Sequence, residues 1–159
     1  MLHIFTDGAC TRNGSKQANA AYSTVFWNLK EEPFGIAHKV PRDEVQTNQR
    51  AELRGLKQSF DEIQKRNIRT PITIWTDSEY ARNCVQTWGP QWKVRGWKRA
   101  AGSKPLEHLD LLKPMIEFYE LNQHFILLKH IKAHTNNKEF PYCGNEMADR
   151  LATEALLLT

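Results

Sequence analysis

Cysteine is scarce. The three in this chain of 159 residues, Cys10, Cys84 and Cys143, show neither CxxC nor disulfide-framework spacing. An odd number of them fits a reducing compartment. Long apolar runs are missing as well. Nothing approaches the ~20 residues needed to cross a bilayer. No basic segment followed by an apolar one opens the chain, as a secretory signal requires. These absences predict an intracellular protein, in cytoplasm, nucleus or nucleoid, with no membrane partner. No repeat, low-complexity tract or linker interrupts the sequence, so a single domain over residues 1–159 is expected. Charge of one sign is also lacking overall. Lys plus Arg number 22 against 18 for Asp plus Glu, and a net charge of +4 selects no partner. The exception is local. From Lys93 to Lys104 there is no acidic residue, while Lys93, Arg95, Lys98, Arg99 and Lys104 are all present. Such a cationic surface suits a phosphate backbone.

Apolar periodicity supplies the elements. Leu2 to Asp7, Ala20 to Trp27 and about Phe34 to Val40 read as strands joined by turn chemistry, Asn13-Gly14-Ser15 and Asn28 to Pro33. Short links favour antiparallel pairing. Leu53, Leu56, Phe60 and Ile63 then recur at helical spacing across Asn48 to Lys65. Ile72 to Thr76 is a fourth strand, which makes a right-handed parallel crossover unit. Ser78 is expected to cap a helix running to about Thr87, with Gly89-Pro90 breaking it. A short helix follows in the Trp92 to Arg99 region, then an amphipathic one marked by Leu109, Leu112, Ile116 and Tyr119. Phe125 to Ile131 is the fifth strand, and Asn145 is expected to cap a last helix. The predicted class is α/β: a five-stranded mixed sheet, three antiparallel strands then parallel ones, with helices on both faces.

Four carboxylates stand in distinctive settings. Asp7 and Asp77 each end an apolar run, Glu52 lies near a helix start, and Asp149 is mid-helix, where Asp is a poor former. Each has a plain reading of its own. Asp7 can be a turn aspartate before Gly8, Glu52 and Asp77 can complement helix dipoles, and Asp149 can be solvated. Asp7 and Asp77 should nevertheless emerge on the same sheet edge, where sites form in such folds. Brought together, the four can hold two hard divalent cations through oxygen ligands. Two such cations flanking a phosphodiester activate a water and stabilise the leaving oxygen. That chemistry is a metal-dependent nuclease.

Five segments, in order, resemble type 1 ribonuclease H. They are Thr6-Asp7-Gly8, Thr47-Asn48-Gln49-Arg50-Ala51-Glu52, Thr76-Asp77-Ser78, Trp92-Lys93-Val94-Arg95-Gly96-Trp97-Lys98 and the Gly144-Asn145-Glu146-x-Ala148-Asp149 helix. The similarity runs from Leu2 to about Leu156. It implies the ribonuclease H-like fold and an endonuclease hydrolysing the RNA strand of RNA–DNA hybrids, leaving 5′-phosphate and 3′-hydroxyl ends. It further implies two Mg²⁺ ions, with Mn²⁺ as a possible substitute, a monomer, no obligatory protein partner and no separate hybrid-binding domain. Two other readings stay open. A non-catalytic hybrid- or duplex-binding module would be signalled by a lost carboxylate, and none is lost. Another nuclease of the superfamily is the third. Its proofreading-type exonucleases carry Asp-x-Glu on the first strand, whereas Asp7 precedes Gly8 and Ala9.

The resemblance assigns roles by position. Asp7 is the central metal ligand, flanked by Glu52 and Asp77, with Asp149 completing one site. His134 matches a mobile histidine that assists proton transfer or product release. Cys10, Asn13, Asn48 and Gln49 match positions facing the RNA strand, where amides read 2′-hydroxyls. Asn13 and Asn48 also suit turn and cap duty. Thr47 matches a grip on a DNA phosphate, and Tyr80 and Trp88 line a channel for the DNA strand. Lys93, Arg95, Lys98 and Arg99 belong to a basic protrusion that Trp97 supports. Three departures are visible. Val45 replaces a common arginine near Arg42, His108 replaces an asparagine, and the stretch from Thr135 to Cys143 is longer than in most relatives. The first two make the expected grip on DNA weaker or differently built, and the third bears on the placement of His134.

Overall fold

The computed structural model describes residues 1–99 and 105–158. Lys104, the last of the expected cationic cluster, lies outside them. Five strands form one sheet in the order β3-β2-β1-β4-β5. They are β1 (Leu2–Thr11), β2 (Asn19–Asn28), β3 (Phe34–Lys39), β4 (Ile72–Thr76) and β5 (Ile126–His130). The first three pair antiparallel, and β4 and β5 add in parallel, as their crossover lengths require. The helices are α1 (Asn48–Lys65), α2 (Glu79–Asn83), α3 (Gly89–Val94), α4 (Leu109–Asn122) and α5 (Tyr142–Ala155).

Strand alternation divides the core into two layers. On one face Ile4 and Ile74 meet Leu53, Leu56 and Phe60 of α1 and Leu112 and Ile116 of α4. On the other, Phe5 and Val25 pack against Ala148 of α5, with Trp27, Trp75 and Leu151 around them. No helix among the described residues is long and apolar enough to cross a membrane.

The structure departs from sequence expectation at four boundaries. β1 does not stop at Asp7 but continues to Thr11, because β2 keeps pairing with it after β4 has ended. Gly89-Pro90 does not break the helix. A π-helical turn, Cys84–Trp88, joins α2 to α3. Pro90 enters at the start of α3, where its missing N–H costs little. The helix expected around Trp92 to Arg99 thus begins earlier and ends at Val94. Asn145 is no cap, since α5 begins at Tyr142 and Asn145 is a buried residue of its first turn.

Candidate functional site

Parallel pairing of β1 with β4 ends at Thr6↔Thr76, so Asp7 and Asp77 leave the ladder side by side. Alternation turns Asp7 to the α5 side, while its neighbours Thr6 and Gly8 face α1. Gly8 is required there. A Cβ on it would collide with the backbone nitrogen of Glu52. This close approach brings the first turns of α1 over the strand and delivers Glu52 to the edge. Thr47 caps α1 by accepting from Arg50 N at 3.1 Å, so Asn48 is the first helical residue rather than the cap. Glu52 sits fifth, beyond the first turn, and dipole complementation does not account for it. On the other face, a Cβ on Gly144 would strike the Phe5 ring, so α5 lies close on β1. The Ser23 hydroxyl, opposite Asp7 in the β1–β2 register, donates to the Ala148 carbonyl at 2.6 Å. That bond fixes the turn of α5 carrying Asp149.

Carboxylate oxygens of Asp7, Glu52 and Asp77 lie within 4.8 Å of one another. Asp149 stands outside this trio but close enough for its charge to act on Asp7. Asp7 is buried at 4% exposure. Burial, with the Asp77 and Asp149 charges, pushes its carboxyl up to about 10, against one stabilising bond from Gly8 N at 2.9 Å. Burial also raises Glu52 to about 7, opposed by a hydrogen bond from Ser78. Asp77 is raised by burial, and the His134 and His130 charges oppose the shift. Among the described residues none of the three pairs with a lysine or arginine. Clustered, uncompensated, oxygen-only donors fit a hard divalent cation.

His134, in the left-handed region at φ 53°, shares a 220 Å³ cavity with Lys132, Asn145 and Asp149. Asn13 Oδ1 accepts from Asn48 N at 3.2 Å and lies 3.7 Å from Cys10 Sγ, joining the β1–β2 turn to the start of α1. Gln49 lines a 470 Å³ groove with Tyr80, Trp88, Trp92, Arg95 and Arg99. Its rings contact in series, Tyr80 to Trp88 at 6.2 Å and Trp88 to Trp92 at 5.9 Å. Trp97 packs against the core, as a supporting residue should. Lys98 is exposed and bridges to Pro105. Lys93 points elsewhere, to the α4 side, where its Nζ is 2.9 Å from Glu120.

Thr47 opens on a second depression, also lined by Asp43, Glu44, Val45, His108 and Asp110. Its one arginine, Arg50, is held by Asp110 at 2.8 Å and by Glu44 at 2.8 Å. Arg42 turns away to the Ala18 carbonyl. Four contributors escaped sequence reading: Ser23, Thr76, His130 and the second role of Ser78. His130 reaches the Asp77 carbonyl at 3.2 Å. A histidine at a strand end has no distinguishing spacing, so only the β4–β5 register exposes it.

The RNase H family profile matches residues 1–157. This chain belongs to the ribonuclease H family. It is 33% identical over 152 residues to rat ribonuclease H1, covering 95% of this chain and 48% of that protein. The chain therefore spans about half the length of that curated relative. Identity to Pseudomonas fluorescens ribonuclease H is 31% over 155 residues, covering 98% of this chain and 91% of the relative. Among solved structures, the RNase H domain of PFV superposes with a TM-score of 0.79 at 25% identity, covering 98% of this chain and 94% of that one. Ribonucleases H depend on divalent metal, and the acidic cluster here supplies donors for it.

Proposed function

We propose that the chain is an endonuclease that hydrolyses the RNA strand of RNA–DNA hybrids, leaving 5′-phosphate and 3′-hydroxyl ends. The observation that carries this reading is the buried Asp7–Glu52–Asp77 cluster, with Asp149 beside it, at the carboxyl edge of the sheet. These four residues would hold the metal, taken as two Mg²⁺ or Mn²⁺ ions. When bound, such ions supply activation of water and neutralisation of charge at the scissile phosphate. The Asp77 and Asp149 charges both act on Asp7, so Asp7 would be the central ligand of the set. His134 carries a proton at the open side of the site or eases product departure.

The remaining residues orient the duplex. Cys10, Asn13, Asn48 and Gln49 follow the RNA strand, where Asn and Gln amides can both donate to and accept from 2′-hydroxyls. Tyr80 and Trp88 offer ring faces to the DNA strand, and Arg95, Lys98 and Arg99 draw its phosphates. The acidic depression at Thr47 weakens the hold on a DNA phosphate there. The test is cleavage of four substrates, RNA–DNA hybrid, double-stranded RNA, double-stranded DNA and single-stranded RNA, with Mg²⁺ and with EDTA. Only the hybrid should be cut, only in its RNA strand and only with metal. Equal cutting of double-stranded DNA, or cutting in EDTA, sinks the proposal.

A further inference from the structure

We propose that His130 is a positioning residue for Asp77, acting through the one peptide that joins Asp77 to Ser78. The inference deepens the reading of Asp77 as a metal ligand and rests on it. The β4–β5 ladder ends at Thr76↔His130, closed by Ile131 N donating to Thr76 O at 2.9 Å. The next carbonyl, that of Asp77, has no ladder partner. The His130 ring takes the place of one, with Nε2 at 3.2 Å. Because a carbonyl only accepts, Nε2 must carry the hydrogen. Nδ1 is then turned to the Glu79 carboxylate, 4.0 Å away at the first residue of α2.

The other end of the same peptide is held as well. Ser78 N donates to the buried Thr76 hydroxyl at 3.1 Å. One peptide plane is therefore clamped at its oxygen by β5 and at its nitrogen by β4. Directly before it stands the Asp77 side chain. Directly after it stands Ser78, whose hydroxyl both caps α2, accepting from Ala81 N at 3.0 Å, and bonds Glu52. Rotation of this plane would move two elements of the acidic cluster at once. Without His130, among the described residues, the Thr76 bond is the one hydrogen bond left on that peptide itself. A histidine serving merely as strand-end packing would need no donor aimed at this oxygen.

The experiment compares His130→Leu, which fills the space without donating, with His130→Gln, whose amide can donate to the same carbonyl. Mn²⁺ binding to the protein alone is read by calorimetry, and hybrid cleavage is read as kcat and KM. His130→Leu should weaken Mn²⁺ binding and lower kcat, each by about 10-fold, the low end for a partner of a metal ligand, with KM within about twofold. His130→Gln should recover most of both. If His130→Leu does not fold, His130→Ala takes its place. A folded Leu or Ala variant with wild-type Mn²⁺ affinity overturns the proposal, and so do Gln and Leu variants that are equally impaired. Wild-type protein that binds no divalent cation overturns it too. Wild-type protein that binds Mn²⁺ but leaves the hybrid intact defeats the nuclease reading alone, and the binding comparison still decides the role of His130.

Discussion

Glu52 titrates at about 7 because the fold buries it beside Asp77, and its ordinary value is near 4.5. Between those values the folded state holds a proton that the unfolded state has released. Stability from this group is therefore full below pH ~4.5 and is lost as pH rises through ~7. Its size is no more than roughly 3 kcal/mol. In EDTA, Glu52→Gln should melt several degrees above wild type at pH 8, and the difference should vanish near pH 4.5. Mg²⁺ should raise the wild-type melting temperature at pH 8 more than that of the variant, since a cation offsets the same repulsion. A variant destabilised equally at both pH values would place Glu52 outside the repelling cluster. Asp7→Asn keeps the shape and removes the charge at the centre of the group. It should retain fold and hybrid binding while losing at least ~10³-fold in rate, roughly 4 kcal/mol. More than about a tenth of wild-type activity remaining would take Asp7 out of the site.

At the scale of elements, the basic segment splits in two. Arg95 and Arg99 line the aromatic groove with Tyr80 and Trp88, and Lys98 is exposed nearby, whereas Lys93 is tied to Glu120 of α4. Replacing Arg95, Lys98 and Arg99 by Ala should raise KM, leave kcat little changed and flatten the salt dependence of binding. Each lost phosphate contact should remove about 0.9 from the log–log slope. Lys93→Ala alone should leave the slope unaltered. A flattened slope for Lys93→Ala, or none for the triple variant, reverses this division. Composition could not make it, because a cationic run records charge and not the direction in which α3 and the turn after it carry each side chain. The other elements divide along similar lines. Strongly periodic segments such as α1 and β4 were legible to the residue. Asn145 was misread because its Asn-Glu pattern imitates a cap, while the turn that starts α5 lies three residues earlier. Gly89-Pro90 misled because it forms the first turn of α3, which follows the π-helical turn without a break.

For the whole molecule, the mixed sheet of three antiparallel strands followed by parallel ones was legible in the sequence, and so was the emergence of Asp7 and Asp77 on one edge, since each ends an apolar run that the parallel register sets side by side. What holds them was not. Ser23 and His130 reach from one element to another, to α5 and to the residue after β4, and Thr76 holds the turn that follows its own strand, so their roles appear only once the fold is known. The depression at Thr47 lies between: Val45 and His108 marked a departure, but the Arg50–Glu44–Asp110 network that occupies it needed the fold. That network bears on substrate choice. With its arginine already neutralised, the molecule has less to gain from a DNA phosphate and more from the joined seam of residues Cys10, Asn13 and Asn48, which are proposed to face the ribose. Such a seam spans several nucleotides, and one ribose satisfies only part of it. A duplex with a single ribonucleotide in DNA should therefore be cut poorly, and cutting should rise to its full value at a run of roughly four, as needed for several 2′-hydroxyl contacts. The measurement is a series of duplexes carrying one to six consecutive ribonucleotides, scored by kcat/KM. Full activity at a single ribonucleotide would mean that one contact suffices, and the extended seam would lose its role in recognition.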